Sequence, residues 1–336
     1  MAPQMTKTSM IPPASAPAFL AANGWAGAQI LPLAGDASFR RYFRVVDGDR
    51  RAVLMDAPPD KEDSRPFLAI GAHLDSLGFS APQPLESDLE QGLILLEDFG
   101  DARVNPLLAE TPAREAEIYG AAIDVLAELH RHPAPAIAPY GESELRREVR
   151  LFPEWYLPAA GHAEAPGYDA AWDAVFPQIL SETRAKPVLT LRDYHADNLM
   201  LLDRPGLRGL GLLDYQDALA GHPAYDLVSL LQDARRDVAP ALEAAMLDRY
   251  VAAAGIGDAA AFRSAYEILG AQRNTKILGV FTRLWMRDNK PAYPRFNPRV
   301  WGYLDRNLAH PALAPVADWF VTHVPAAARQ QFEALP

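Results

Sequence analysis

Three residues stand in an order that suits phosphoryl transfer. Asp193 and Asn198 lie five apart within Leu189-Thr-Leu-Arg-Asp-Tyr-His-Ala-Asp-Asn-Leu-Met-Leu-Leu202, and Asp214 follows 21 residues after Asp193, closing the apolar run Leu210-Gly-Leu-Leu213. Apolar residues flank a polar knot of Arg192, Asp193, Tyr194, His195, Asp197 and Asn198. Such a knot between buried strands is costly unless its groups are paired or used. Phosphoryl transfer needs one carboxylate to accept the proton of a hydroxyl, and hard oxygen ligands to hold Mg²⁺ against the phosphates. Kinases take the base and one metal ligand from a D-x-x-x-x-N loop and the second ligand from an Asp on the next strand. On that pattern Asp193 is the base, and Asn198 and Asp214 are the metal ligands. Taken singly, the first two also read as loop caps and Asp214 as a turn residue; all three in order favour catalysis. Arg192, beside the base, would stabilise charge on the transferred group.

Other residues have a bland reading beside the chemical one. Gly35 to Ser38 reads as a hairpin turn or as a turn covering phosphates. Asp98-Phe99-Gly100 spells the metal-binding tripeptide of protein kinases but precedes the catalytic loop. That position makes Glu97, Asp98 and Phe99 hinge residues whose backbone would meet adenine. His130 and His132 read as a helix C-terminus rather than as zinc ligands. Between Arg273 and Arg299 there are seven basic residues against one acidic, Asp288. Arg273, Lys276, Arg283 and Arg287 fall on one helical face. A charge run is usually a solvated face, yet a basic face also suits an anionic acceptor and not a polycation.

The elements that must position these groups fall into two parts. Residues 28 to 97 carry short β-branched and aromatic runs separated by turns: Gln29–Leu33, Tyr42–Val46, Ala52–Met55 and Gly92–Leu96. A helix is expected from Asp63 to Leu77, ended by Gly78. After Gly100 the pattern becomes helical. Thr111 and Pro112 suggest a helix start running to His130, and more helices are expected near 144–157 and 169–183. A β-rich stretch covers 187–214. The expected organisation is a disordered tail at 1–20, a β-rich nucleotide lobe at 21–104, and an α-rich catalytic and acceptor lobe at 105–336.

These segments resemble the aminoglycoside phosphotransferase and choline kinase group. The resemblance rests on D-x-x-x-x-N, the strand ending in Asp214, and Gly221-His-Pro-Ala-Tyr-Asp226-Leu, and covers about residues 28 to 325. It implies an α+β, bilobal, protein-kinase-like fold with ATP between the lobes, and a supporting role for Asp226. Two departures stand out. Leu191 occupies the usual histidine of the first motif. Strand three, Ala52-Val-Leu-Met55, lacks the ATP-binding lysine; Arg40, Arg41 or Arg44 would have to neutralise the phosphates. Gly35-Asp-Ala-Ser-Phe-Arg-Arg-Tyr-Phe-Arg44, Val53–Pro59, Leu95-Leu-Glu-Asp-Phe-Gly100 and Arg273-Asn-Thr-Lys-Ile-Leu-Gly279 look like the anomeric cell-wall sugar kinases. Those enzymes phosphorylate N-acetylmuramate and N-acetylglucosamine at C1 in peptidoglycan recycling. The resemblance implies ATP and Mg²⁺ as cofactors. Gly35, Ser38, Arg44, Glu97, Asp98 and Phe99 are expected at the nucleotide, and Tyr194, His195, Asp217, Arg273, Lys276 and Arg283 at the acceptor.

Composition narrows the alternatives. The chain has 336 residues, 49% hydrophobic and 22% charged, an ordinary globular balance. A net charge of −11 argues against nucleic acid as the main partner. With no cysteine there are no disulfides and no thiol chemistry. No 18-residue apolar run suggests a membrane span, and the start lacks a secretory signal pattern. A cytoplasmic monomer acting on a small amino sugar and a nucleotide is the expectation. Its rivals are an aminoglycoside, choline or homoserine kinase of the same fold, and a pseudokinase that only binds.

Overall fold

The computed structural model describes residues 11–35, 39–162 and 164–330. The chain divides into two compact units, Met1–Arg103 with Met200–Asp217, and Val104–Leu199 with Ala218–Pro336.

The first unit opens with helix α1 (Ala16–Ala22) and continues through β1 (Gln29–Gly35), β2 (Arg41–Asp47), β3 (Arg50–Asp56), α2 (Arg65–Ser76), β4 (Pro84–Asp88) and β5 (Leu93–Glu97). The strands make one antiparallel sheet in the order β1-β2-β3-β5-β4. Alternate residues point to one face. Phe43 and Val45 of β2, Ala52 and Leu54 of β3, and Leu93 and Leu95 of β5 therefore pack with Phe19, Leu20 and Trp25. That packing corrects the tail expected over 1–20. Residues 16–22 wind into α1 because Ala16, Phe19 and Leu20 cover the sheet, and Pro17 falls in the first turn, where no N–H is needed. Residues 1–10 lie outside the described residues. Strand β4 has no counterpart in the expected runs. It is an edge strand opened by a proline and largely exposed, so no apolar alternation marks it.

The second unit begins with α3 (Val104–Glu110), a 3-10 turn at Pro112–Arg114, α4 (Glu115–Leu129) and α5 (Glu142–Val149). Thr111 does not cap α4; its hydroxyl donates to Leu107 O (2.7 Å). A π turn (Phe152–Tyr156) leads through α6 (Leu157–Ala159), α7 (Tyr168–Asp173) and α8 (Phe176–Ala185) to β6 (Val188–Thr190). The chain then makes β7 (Leu199–Leu201) and β8 (Leu210–Leu212), which pair with each other. Residues 200–217 group with the first unit, whereas the sequence reading placed everything after 104 in the second lobe. Strand β9 (Leu219–Gly221) returns to pair antiparallel with β6. Five helices follow: α9 (Ala224–Leu231), α10 (Pro240–Ala253), α11 (Ala259–Met286), α12 (Asn297–Leu308) and α13 (Ala314–His323), with a final turn α14 (Ala326–Gln330).

Helix α11 organises this unit. It is 28 residues long and buries Gln272, Arg273, Asn274 and Thr275 in succession. A Cβ at Gly279 would lie 2.4 Å from the backbone oxygen of Leu151, so only glycine lets α11 run this close to that segment. Among the described residues no helix is long and apolar enough to cross a membrane.

Candidate active site

The loop after β6 is held by one buried carboxylate. Asp226, on the first turn of α9, accepts hydrogen bonds from Leu191 N (2.7 Å, Oδ2) and Arg192 N (2.8 Å, Oδ1), and is fully buried. Two backbone N–H groups at the strand end are satisfied at once, which keeps the ladder's loss from becoming a desolvation cost. Arg192 adopts a left-handed backbone (φ 71°), uncommon for a side-chain-bearing residue. The chain turns sharply there and presents Asp193 next. The loop is closed by Asn198, whose Nδ2 donates to Asp193 O (3.0 Å).

Cations surround Asp193. Burial alone would raise its pKa, but Lys276, with Arg273 and Arg192, holds it below the usual carboxylate range. The carboxylate is therefore ionised at neutral pH and can accept a proton from a hydroxyl. Its cations are placed by a residue the sequence reading passed over. Glu148 of α5, 1% exposed, pairs with Arg192 and with Lys276 Nζ (2.8 Å), and accepts from Tyr140 and from Gln272 Nε2 (3.0 Å). Burial would raise the Glu148 pKa, yet Lys276 and Arg192 bring it down to about 2. The same pairing raises the Arg192 and Lys276 pKa values against the effect of burial. His195 is buried, and burial lowers its pKa despite Asp233 and Asp193. Its Nε2 lies 3.3 Å from Arg235 Nη1 and 3.4 Å from Asn198 Nδ2, both donors, so the neutral ring carries its proton on Nδ1.

In the first unit, Asp214 ends the β8 segment in a left-handed conformation (φ 58°). Its Oδ1 accepts from Gln216 Nε2 (2.9 Å) and lies 3.5 Å from Arg40 Nη2. The following Tyr215 is buried and stacks on Phe67 of α2, ring centroids 5.1 Å apart, which anchors the segment. A Cβ on Gly211 of β8 would meet Phe99 Cδ2 at 2.7 Å, so the glycine is what admits that ring.

A scan of the whole chain against protein-family models matches the phosphotransferase enzyme family over residues 29–266. The chain belongs to that family. Among curated proteins, this phosphotransferase is 39% identical to the N-acetylmuramate/N-acetylglucosamine kinase of Caulobacter vibrioides, over 93% of this chain and 97% of that one. It is 37% identical to the protein of the same name from Pseudomonas aeruginosa, over 90% and 91%. Among solved structures it resembles a choline/ethanolamine kinase family protein from Mesorhizobium loti, with TM-score 0.57, 19% identity and coverage of 94% and 98%. That last likeness is one of fold.

The structure places the other expected residues as follows. Tyr194 is not at an acceptor surface: it is buried, and its hydroxyl donates to Ala122 O (2.8 Å), tying the loop to α4. Arg273 is buried and donates to Ser229 Oγ (2.9 Å). Lys276 is half-buried between Glu148 and the Tyr225 hydroxyl (3.3 Å). The basic stretch of α11 is thus no solvated face at its first two cations. Arg283 is half-buried, its Nε has no hydrogen-bond partner among the described residues, and burial and Arg287 lower its pKa. Arg287 is exposed and pairs with Asp288. Asp217 is exposed and accepts from Gln216 Nε2 (3.2 Å).

Arg44 is committed elsewhere than the expected phosphate. It pairs with Asp98 (2.7 Å) and Asp101 (2.8 Å) and donates to Gly100 O (3.0 Å), which fixes the segment after β5. Asp98 also accepts from Gly100 N (2.8 Å). Glu97 pairs with Arg204, which lies over the Phe99 ring at 5.2 Å. Gly35 ends β1, and Ser38 lies outside the described residues.

The donor chemistry suits a hard cation. Asn198 commits its amide nitrogen to the loop carbonyl, so the atom it would offer a metal is the amide oxygen, and Asp214 would offer a carboxylate. Among the described residues no group of three or more His, Cys, Asp or Glu forms a metal site by itself. Amide and carboxylate oxygens are each hard donors of the kind Mg²⁺ takes.

Proposed function

We propose that this phosphotransferase is an ATP- and Mg²⁺-dependent kinase that phosphorylates the anomeric hydroxyl of N-acetylmuramate, N-acetylglucosamine or both, giving the sugar 1-phosphate for cell-wall recycling. The observation that carries this reading is Asp193, presented by a loop that Asp226 and Asn198 hold and kept ionised by Lys276, Arg273 and Arg192. A carboxylate so placed can take a hydroxyl proton, and the surrounding positive field repels polycations such as aminoglycosides and attracts an acceptor carrying a carboxylate. The relatives named for these two sugars support the same acceptor class.

When bound, ATP supplies the γ-phosphoryl and Mg²⁺ neutralises its developing charge. Asn198 and Asp214 are the ligands proposed for the metal. Asp193 accepts the hydrogen bond of the anomeric hydroxyl, aligns its oxygen with the γ-phosphorus, and takes the proton as the new O–P bond forms and the bond to the β–γ bridging oxygen breaks. Arg192 is held rigid by Glu148 and Asp226, so it keeps the base in place rather than swinging onto the phosphoryl group. The backbone after β5, fixed by Arg44, is where adenine is proposed to dock. A cytoplasmic monomer fits this use of ATP.

The test is ADP release with Mg²⁺ and ATP across N-acetylmuramate, N-acetylglucosamine, glucose, choline, homoserine and kanamycin. Turnover confined to the acetylated amino sugars is expected. Turnover on kanamycin or choline alone would overturn the acceptor assignment, and nucleotide binding without any turnover would point to a binding module.

The two sugars differ by one lactyl carboxylate, so Arg283, half-buried and with no partner for its Nε among the described residues, should tell them apart. Arg283→Ala is expected to raise KM for N-acetylmuramate by about 10-fold, the worth of a charge-assisted hydrogen bond, while KM for N-acetylglucosamine stays unchanged. Equal rises for both sugars would remove Arg283 from the carboxylate.

A further inference from the structure

Phosphoryl transfer needs a cation on the nucleotide's phosphates besides the metal, and β3 offers no lysine: its buried residues are Ala52, Val53, Leu54, Met55 and Asp56. The arginines around it have different employments. Arg41 binds Asp56 through Nε (2.8 Å) and Nη2, Arg44 is bound by Asp98, Asp101 and Gly100 O, and Arg50 pairs with Asp47 over the Trp25 ring. Each of these pairs fixes a strand or a turn of the first unit.

Arg40 differs in what it faces. It stands one residue before β2, is 7% exposed, and directs Nη2 to within 3.5 Å of Asp214 Oδ1. Asp214, Asp217 and Glu62 all lie in its field. A buried guanidinium is costly unless anions hold it, and the carboxylate in contact with this one is Asp214. Bringing a triphosphate to that place without a cation would add like charge to like. A guanidinium stays protonated at any working pH and presents a planar fork that matches phosphate oxygens.

We propose that Arg40 takes the part of the missing strand-three lysine, neutralising the nucleotide phosphates beside Asp214. This rests on the kinase reading above.

The test is nucleotide binding by titration calorimetry, with ATP, ADP and adenosine, each with Mg²⁺ and again in EDTA. Arg40→Gln is expected to weaken ATP by about 10- to 100-fold, the range for hydrogen bonds to charged groups, to weaken ADP less, and to leave adenosine unchanged. The loss for ATP persists in EDTA, because the contact is to phosphate and not through the metal. Arg41→Ala serves as the control and keeps wild-type ATP affinity. If Arg40 only positions Asp214, Arg40→Gln will bind ATP in EDTA as tightly as wild type, and the proposal fails. Parallel losses of ATP and adenosine would also sink it. Should Arg40→Gln not fold, Arg40→Lys is read the same way, with a smaller loss for ATP and none for adenosine. Wild-type protein that binds neither ATP nor adenosine would overturn the kinase reading, and the Arg40 assignment with it; wild-type binding that Arg40→Gln leaves intact overturns Arg40 alone.

Discussion

Asp193→Asn lowers kcat by roughly 10²–10⁴-fold, the contribution of a positioned general base, and leaves nucleotide affinity unchanged. The asparagine keeps the shape of the side chain, and the loop is held by groups other than the Asp193 carboxylate: Asp226 carries the Leu191 and Arg192 N–H groups, and Asn198 binds the Asp193 carbonyl. Only the proton acceptor is lost. The wild-type pH profile carries a second signature. A base works ionised, and the folded pKa of Asp193 lies below the ordinary 3.8, so the acid limb of kcat/KM falls below that value. Lys276 is the first of the cations that oppose burial, so Lys276→Met moves the limb upward. Stopped assays at each pH, short enough to precede acid unfolding, read both. A variant Asp193→Asn that keeps more than about a tenth of wild-type kcat would remove the residue from general-base catalysis.

How far the sequence could be read depended on whether a residue's role was local. Asp193, Asn198 and Asp214 are spaced by the loop and strand that carry them, so their types and intervals suffice to nominate them. The sheet of the first unit was legible for a like reason, since Tyr42–Val46 alternates buried with half-buried residues and Ala52–Met55 is a short, fully buried apolar run between turns. Edge strand β4 has no inward face to record. Helix α1 sits in a proline-rich stretch, and its burial comes from a sheet that begins later in the chain. Glu148 is the instructive omission. Its neighbours Glu144, Arg146 and Arg147 make it look like part of a solvated helix, and those residues are indeed solvent-facing or half-exposed pairs. Nothing nearby in sequence reveals that α11 brings Lys276 and Gln272 onto it from more than a hundred positions away. Arg44 is the opposite case: proximity to the first turn suggested phosphate, and the fold pairs it with the carboxylates after β5.

Glu148→Gln should be the most damaging single change outside the base itself. The amide keeps the size and one acceptor of the carboxylate but leaves the Lys276 ammonium and the Arg192 guanidinium without their shared anion. Breaking a buried pair on one side costs about 3–5 kcal/mol, and here two cations depend on one anion. A melting temperature lower by about 10 °C is expected at neutral pH. The pH dependence has a definite sign. The folded pKa of Glu148 is depressed from an ordinary 4.5 to about 2, so its contribution is fully present above about 4.5 and is lost as pH falls toward 2. A shift of that size is worth about 3 kcal/mol, and Glu148→Gln should lose that slope in urea unfolding across this window. Catalysis suffers for a separate reason. With Glu148 neutral, Asp193 becomes the remaining carboxylate for both cations, its basicity falls, and kcat drops with it. Removing an ion and its counter-ion together tests the account: Glu148→Gln with Lys276→Met should be more stable than the sum of the two single changes by at least about 1 kcal/mol. Additive effects in that cycle, or a Glu148→Gln protein as stable as wild type, would mean that the carboxylate is not what holds the cations beside the base.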